Sequence, residues 1–242
     1  MYEWYEAVDT LSPRVVRIAT PVGTGSGFLL PWQSKTGLCA IATAAHVIDH
    51  AFYWEQPIRL DQIETGKTSL LRQEQRAIFA DPARDTAIIV FEAGVIKAPE
   101  GELRFVPEEK HLKVGNEVGW LGFPSITPSL CFFSGRISAW REGENSYLID
   151  GVAINGVSGG IVFYLGTDAP VAVGVVSAYI PNRTTGEVLP GLAIARDVSY
   201  LHERATTFAS MDEARSAQSI PEPPAVQSIE SDLPATPTRA AG

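Results

Sequence analysis

The sequence predicts an all-β protein made of two six-stranded β-barrels with a cleft between them. Its 21 glycines and 17 prolines are scattered between short runs rich in Val, Ile, Phe and Ala, a pattern that favours strands and tight turns over long helices. An apolar fraction of 45% in 242 residues is enough to fill a substantial core. The strand-like runs form two groups, which are separated by the polar stretch 107–110.

The first group of runs predicts a barrel over residues 12–108, after an N-terminal extension at 1–11. A short helical pattern, from Ala44 to about Ala51, follows the third run and indicates a helix at that point. The six strand candidates are Val15–Ile18, Gly27–Leu30, Leu38–Ala42, Leu70–Phe79, Thr86–Phe91 and Leu103–Val106.

The second group predicts another barrel and a closing helix over residues 109–208. The helix is expected from Val198 to about Thr207. Residues 209–242 are rich in Pro, Ser and Ala and poor in large apolar side chains, so we expect a disordered tail there. The six strand candidates are Glu117–Gly122, Leu130–Trp140, Tyr147–Ile149, Gly160–Tyr164, Val171–Ile180 and Leu192–Ala195.

Charge and composition argue against several classes of partner. The net charge of -9 and the pI near 5.0 give no attraction to nucleic acid or to an anionic membrane. The sequence shows no membrane-spanning run and no signal peptide at its start. Cys39 and Cys131 each lie in an apolar run, so we expect both to be free and buried, in a cytoplasmic protein.

A serine in a glycine-rich turn is the sharpest chemical signal in the sequence. Ser158 follows Gly156 and Val157, precedes two glycines, and stands immediately before an apolar strand. Small neighbours leave a hydroxyl accessible, and the backbone N–H groups of Gly156 and Ser158 could form an oxyanion hole. Taken alone, such a turn is more often only a turn.

Two further residues supply the groups that a serine nucleophile requires. His46 stands where an apolar strand gives way to a short helix, and Asp85 stands at the start of a buried strand. Each is more often structural in isolation. Together they provide a base for the Ser158 hydroxyl and an acid that orients the base, with one barrel contributing His46 and Asp85 and the other Ser158.

These segments resemble the trypsin-like serine peptidase superfamily, and within it the bacterial HtrA-like branch, over about residues 12–205. The resemblance extends to five more segments in matching order. It implies cleavage of polypeptide substrates through an acyl-enzyme on Ser158, with the active site between the barrels and no cofactor or metal. It also implies that Ser177 pairs with the substrate backbone and braces Asp85. The further segments are Thr24–Phe28, Val114–Val118 with Gly122–Pro124, Ser134–Ser138 and Gly174–Ser177.

Two departures from the family pattern carry expectations. Val157 replaces the usual Asp or Asn before the serine, so no pairing with a freed N-terminal amine is expected. Residues 209–242 are rich in Pro, Ser and Ala, so we also expect no PDZ-like domain after residue 208. The residues that the resemblance places around the primary pocket carry no charge, which predicts cleavage after small or medium aliphatic residues; Asp150 is the nearest acid. The predicted pocket residues are Val152, Ala153, Val176, Ser177, Ala178 and Ala193.

Three alternatives remain open at this stage. His46 and His50 stand four residues apart on a helical pattern, which is the spacing of a metallopeptidase zinc site, although no third ligand is evident. A second alternative is a non-catalytic module that binds peptides on a peptidase fold. A third is a peptidase that an activating protein partner switches on.

Overall fold

The computed structural model describes residues 2–32, 34–97, 99, 101–182 and 189–218. Its strands form two seven-stranded sheets, which confirms the all-β class. None of the described helices is long and apolar enough to span a membrane. The α-helices are α1 (Trp4–Leu11), α2 (Ala45–Tyr53) and α3 (Ser199–Gln218), and 3₁₀ turns span Ser12–Arg14, Ile63–Thr65, Gln73–Gln75 and Glu142–Glu144.

The first sheet is antiparallel and has the strand order β5-β4-β1-β2-β3-β7-β6. In the described residues its edge strands β5 and β6 are not paired with each other, so the sheet curves as an open half-barrel. Its strands are β1 (Val15–Thr20), β2 (Gly23–Leu29), β3 (Leu38–Thr43), β4 (Ile58–Gln62), β5 (Lys67–Leu71), β6 (Arg76–Asp81) and β7 (Thr86–Glu92).

The second sheet closes into a six-stranded barrel in the order β12-β9-β10-β11-β14-β13, because β12 also pairs with β13. A two-residue strand, β8, adds to β13 in parallel. The strands are β8 (Arg104–Phe105), β9 (Glu117–Gly122), β10 (Cys131–Arg141), β11 (Ser146–Asp150), β12 (Ile161–Leu165), β13 (Pro170–Asn182) and β14 (Leu189–Asp197).

The first sheet differs from the sequence prediction in three respects. The predicted run 70–79 is divided between β5 and β6, and β4 was not predicted because its buried and exposed residues alternate instead of forming a continuous apolar run. The run 103–106 was assigned to the first barrel, but β8 pairs with β13 of the second. The strands of the second barrel all lie where the sequence predicted them.

Helix α1 packs the N-terminal extension against the second barrel. Ala7 and Leu11 are fully buried in the larger core cluster, and the Trp4 ring lies 5.4 Å from the Phe132 ring and 5.7 Å from the Phe163 ring. Glu3 and Glu6 form a capping box at its start. The segment 2–11 is therefore an integral part of the fold.

Helix α3 is longer than predicted. It continues to Gln218, so residues 209–218, which we assigned to the disordered tail, are helical instead. The carboxylate of Asp212 is buried and accepts hydrogen bonds from the hydroxyls of Ser34 and Thr36 and from two backbone N–H groups of the same loop. These hydrogen bonds hold the pKa of Asp212 well below its usual range. The remainder of the predicted tail, 219–242, lies outside the described residues.

Candidate active site

His46 lies in the first turn of α2, where β3 ends and the chain turns into the helix. Ala44 and Ala45 on either side of this junction are buried, while 48% of the His46 side chain is exposed. The small buried residues fix the backbone against the sheet. The imidazole is consequently held at the surface of the first sheet.

Asp85 ends the turn that precedes β7 and has a φ of 45°, a left-handed conformation that Asp tolerates better than most residues. Its Oδ1 accepts the His46 backbone N–H at 3.0 Å and lies 2.9 Å from His46 Nδ1. Its Oδ2 accepts the Ser177 hydroxyl at 2.5 Å. The structure thus brings His46, Asp85 and Ser177 together.

The hydrogen bonds around Asp85 set the protonation of the pair. Burial raises the pKa of Asp85, but the hydrogen bonds from His46 and Ser177 outweigh it, and the net pKa is lowered. The hydrogen bond with Asp85 raises the pKa of His46 against the opposing effect of burial. Because an ionised carboxylate only accepts hydrogen bonds, Nδ1 of His46 carries the hydrogen and Nε2 of the neutral ring is free to accept one.

Ser158 follows a turn in which the Val157 N–H bonds the Ile154 carbonyl at 3.1 Å. The third residue of this turn is Gly156, with a φ of 93°, which is the geometry of a type II turn. A Cβ at Gly156 would lie 2.4 Å from the Phe123 carbonyl oxygen, so glycine is also required sterically. Val157 is fully buried in the core.

The backbone hydrogen bonds of this turn leave two N–H groups free. The carbonyl of Asn155 accepts the Ser125 N–H at 2.8 Å, and the carbonyl of Ser158 accepts the Ser26 N–H at 2.8 Å. Among the described residues, the N–H groups of Gly156 and Ser158 have no partner. Since N–H and C=O of one peptide point in opposite directions, holding the Asn155 carbonyl against Ser125 directs the Gly156 N–H away from it.

The Ser158 hydroxyl donates to the Ser177 carbonyl at 3.2 Å. Within the described part of the chain it makes no hydrogen bond with His46. Catalytic hydrogen bonds are commonly loose in a ligand-free enzyme and tighten when substrate binds.

The predicted pocket residues come from three adjacent segments. Ala153, Val176, Ser177 and Ala193 are buried, and none of them carries a charge. Val152 is 44% exposed, and Ala178 is also exposed. Asp150 is exposed at the end of β11.

Three polar groups that hold the site were not predicted. Ser26 contacts the turn beside Ser158 through its N–H and its hydroxyl, the Ser125 N–H holds the Asn155 carbonyl, and Thr43 donates to the Ser26 carbonyl at 2.7 Å. The segment Thr24–Phe28 was noted only as part of the resemblance. These contacts join residues that are distant in sequence, so no local sequence pattern predicts them.

His50, the second histidine of the predicted metallopeptidase zinc site, contacts a different residue from His46. His50 Nδ1 lies 3.0 Å from Gln56 Oε1, while His46 Nδ1 is engaged by Asp85. No group of three or more His, Cys, Asp or Glu side chains in the described ranges is placed to hold a metal ion.

Both cysteines are free, as expected, but neither is fully buried. Cys39 and Cys131 are each partly exposed, because the apolar runs that contain them are strands on which successive side chains face opposite sides. Partial burial raises the pKa of the Cys39 thiol.

The second barrel carries a serine in a glycine-rich turn, and the first sheet carries a hydrogen-bonded His–Asp pair. A serine, a base and an orienting acid are the parts of a serine peptidase site, and two β units are the fold of its chymotrypsin-like class. The model of the trypsin-like peptidase domain matches residues 25–173, more than half of the sequence. The chain therefore belongs to the family of trypsin-like peptidases.

Solved structures show the same fold. A serine endoprotease from Yersinia pestis aligns with a TM-score of 0.64 at 19% identity, covering 87% of this chain and 68% of that one. Deg5 aligns with a TM-score of 0.60 at 21% identity, covering 84% of this chain and 94% of that one. No curated protein matches in sequence.

Proposed function

We propose that this peptidase is an endopeptidase that cleaves polypeptides through an acyl-enzyme on Ser158, with His46 as general base and Asp85 as the residue that orients it. The observation that carries the proposal is the turn at 154–157, where the N–H groups of Gly156 and Ser158, beside the nucleophile, have no partner within the described part of the chain. Two free donors beside a nucleophile are placed to stabilise the oxygen that becomes negative in acyl transfer.

The residues divide the reaction between them. Ser158 Oγ attacks the substrate carbonyl carbon while Nε2 of His46 takes its proton, and the oxygen that becomes negative accepts hydrogen bonds from Gly156 and Ser158. His46 then gives the proton to the leaving amine as the C–N bond breaks. Water attacks the ester in the same way, and the proton returns to Ser158. Asp85 keeps Nδ1 protonated and steadies the imidazolium.

The proposed substrate preference rests on the residues predicted to line the primary pocket, none of which carries a charge. A lysine or arginine side chain would enter it without a carboxylate to offset the loss of hydration, at a penalty of several kcal/mol. An aliphatic side chain gains about 0.8 kcal/mol per buried methylene, which is about fourfold in affinity. We therefore propose cleavage after Val, Ala, Ile or Leu.

A cavity beside His46 offers room for a second substrate side chain. It has a volume of about 210 Å³ and is lined by Phe52 and Tyr53 of α2 and by Ala80 and Pro82 near β6. Its aromatic walls favour an apolar side chain next to the one in the primary pocket.

Digestion of a proteome-derived peptide library, followed by mass spectrometry, tests this specificity. The expected result is a set of cuts that follow Val, Ala, Ile or Leu, and Ser158→Ala protein prepared in parallel identifies cuts made by contaminants. Cuts that follow mainly Lys or Arg would overturn the apolar pocket and implicate Asp150 as its base.

Two parts of the proposal concern the setting of the enzyme. The unpaired cysteines support a cytoplasmic location, since reducing compartments keep thiols free. Activation by a protein partner is the second candidate, and the hydrogen bond from Ser158 to the Ser177 carbonyl favours it, because that bond occupies the hydroxyl that His46 must deprotonate.

A further inference from the structure

The carbonyl groups of the turn that carries Ser158 are held by four donors of two kinds. Those of Asn155, Val157 and Ser158 accept backbone N–H groups, at 2.8, 2.9 and 2.8 Å. The carbonyl of Gly156 instead accepts a side-chain hydroxyl, Ser26 Oγ, at 2.8 Å. The peptide that follows Gly156 is therefore held at two points: its N–H by the Ile154 carbonyl, and its carbonyl by one side chain from the opposite sheet.

The environment of Ser26 fixes the direction of its single hydroxyl hydrogen. Ser26 is fully buried on β2, and its Oγ accepts the Phe123 N–H at 2.8 Å. A Cβ at Gly122 would lie 3.0 Å from this oxygen, so the hydroxyl is closely packed. With one lone pair engaged by Phe123, the hydrogen is left to serve Gly156.

The backbone of Ser26 is also hydrogen-bonded to the segment that carries Ser158. Its N–H donates to the Ser158 carbonyl at 2.8 Å, and its own carbonyl is held by the Thr43 hydroxyl at 2.7 Å. Ser26 thus contacts both residues whose free N–H groups face the oxyanion position. Because Ser26 belongs to the sheet that carries His46, it fixes the position of the Gly156 and Ser158 N–H groups relative to His46.

We propose that Ser26 is a positioning residue for the oxyanion hole, with its hydroxyl holding the Gly156 carbonyl and its N–H holding the Ser158 carbonyl so that both residues keep their place. This inference rests on the proposed function of the turn. Without the hydroxyl, the Gly156 carbonyl is a buried acceptor without a partner, and the turn gains by reorienting its peptides toward other donors. A Gly156 carbonyl that turns toward another donor shifts the Gly156 backbone, and the Gly156 N–H then leaves the position from which it can reach the substrate.

The expected effect of Ser26→Ala is a fall in kcat of about 10- to 100-fold, less than the 10²- to 10³-fold that follows removal of an oxyanion donor itself. KM should stay within about twofold, because the oxyanion forms only in the transition state. A peptide boronic acid with an aliphatic end, which places an oxygen in the hole when it bonds Ser158, should lose affinity by the same factor as kcat. A substrate peptide bound to Ser158→Ala protein should bind equally well with and without the added Ser26→Ala change.

Ser146→Ala is the matched control. Ser146 is also fully buried in a strand, but within the described residues its hydroxyl has no partner, so its removal should leave kcat unchanged. Ser26→Cys is the second variant, since it keeps the packing but offers only a weak donor, and it should lose kcat to a similar extent if Ser26→Ala fails to fold.

The outcomes separate this inference from the function on which it rests. If wild-type protein is active and Ser26→Ala or Ser26→Cys protein keeps kcat within about twofold of it, the positioning role is wrong. The proposed peptidase function would still stand. A rise in KM with constant kcat would also overturn the positioning role. Wild-type protein that neither hydrolyses peptides nor bonds the boronic acid would remove the proposed function, and this inference with it.

Discussion

Replacing Asp85 by Asn should disable catalysis while preserving the shape of the site. The Asn amide oxygen must stay beside the His46 backbone N–H, which now donates to Oδ1 at 3.0 Å. The amide NH₂ then takes the place of Oδ2, which lies 3.0 Å from His46 Nδ1, while the amide oxygen, 2.9 Å from Nδ1, already accepts the backbone N–H. A hydrogen-bond donor opposite Nδ1 favours the tautomer in which Nδ1 is unprotonated and Nε2 carries the hydrogen. With Nε2 protonated, His46 cannot accept the Ser158 proton.

The expected loss in kcat is about 10⁴-fold, the size seen when a triad acid becomes an amide, or about 5.5 kcal/mol of activation free energy. The contact with Ser177 survives with its direction reversed, because the amide NH₂ can donate a hydrogen bond to the Ser177 hydroxyl oxygen. The thermal midpoint should therefore change little. The assay is hydrolysis of a fluorogenic peptide with an aliphatic residue before the scissile bond, together with a thermal melt of each protein.

Asp81→Asn is the matched control for this change. Asp81 lies four residues earlier, accepts the backbone N–H groups of Ala83 and Arg84, and forms an ion pair with the Arg84 side chain. Within the described residues it makes no hydrogen bond or ion pair with His46. An amide oxygen can accept the same bonds, so kcat should remain within about threefold of wild type. If Asp85→Asn kept more than about a tenth of the wild-type kcat, or if both variants lost equally, the assignment of Asp85 would be refuted.

Two further predictions concern pH and the C-terminal helix. The pKa of His46 is raised above 6.5, and the base must be neutral to act. We therefore expect kcat/KM to be low in acid and to rise to a plateau with a midpoint above 6.5. Initial rates that are the same from pH 5 to pH 8 would exclude His46 as the base. Ending the chain after Ser210 removes Asp212 from its buried loop contacts and should lower Tm by about 5 °C or more, whereas ending it after Gln218 should not, as differential scanning calorimetry can show. Equal melting of the two truncated proteins would mean that the Asp212 contacts add nothing to stability.

The sequence predicted the elements whose signals are local. The strands of the second barrel are apolar runs bounded by turns, and the structure places each of them as expected. His46 and Asp85 were inferred from the need of a serine for a base and an oriented acid, and they are hydrogen-bonded in the structure. The assignment of Ser158, Gly156 and the pocket residues to catalysis stays a prediction.

Other features depend on signals that are weak or distant. Strand β4 alternates in burial and so lacks an apolar run, and α3 contains good helix formers that a compositional reading of the tail overlooked. The Ser26 hydroxyl reaches a carbonyl 130 positions away in sequence. Contacts of that kind are set by how two sheets pack, which no local pattern specifies.

The most direct test of the account is reaction of purified wild-type protein with a fluorophosphonate probe, followed by peptide mapping. An activated serine beside a formed oxyanion hole should be labelled at Ser158 without any added protein, and Ser158→Ala and Asp85→Asn should label poorly or not at all. Labelling at another serine, or none in wild-type protein, would contradict the assignment of Ser158. Labelling of Ser158 only after lysate is added would contradict constitutive activity and establish the partner-activated alternative.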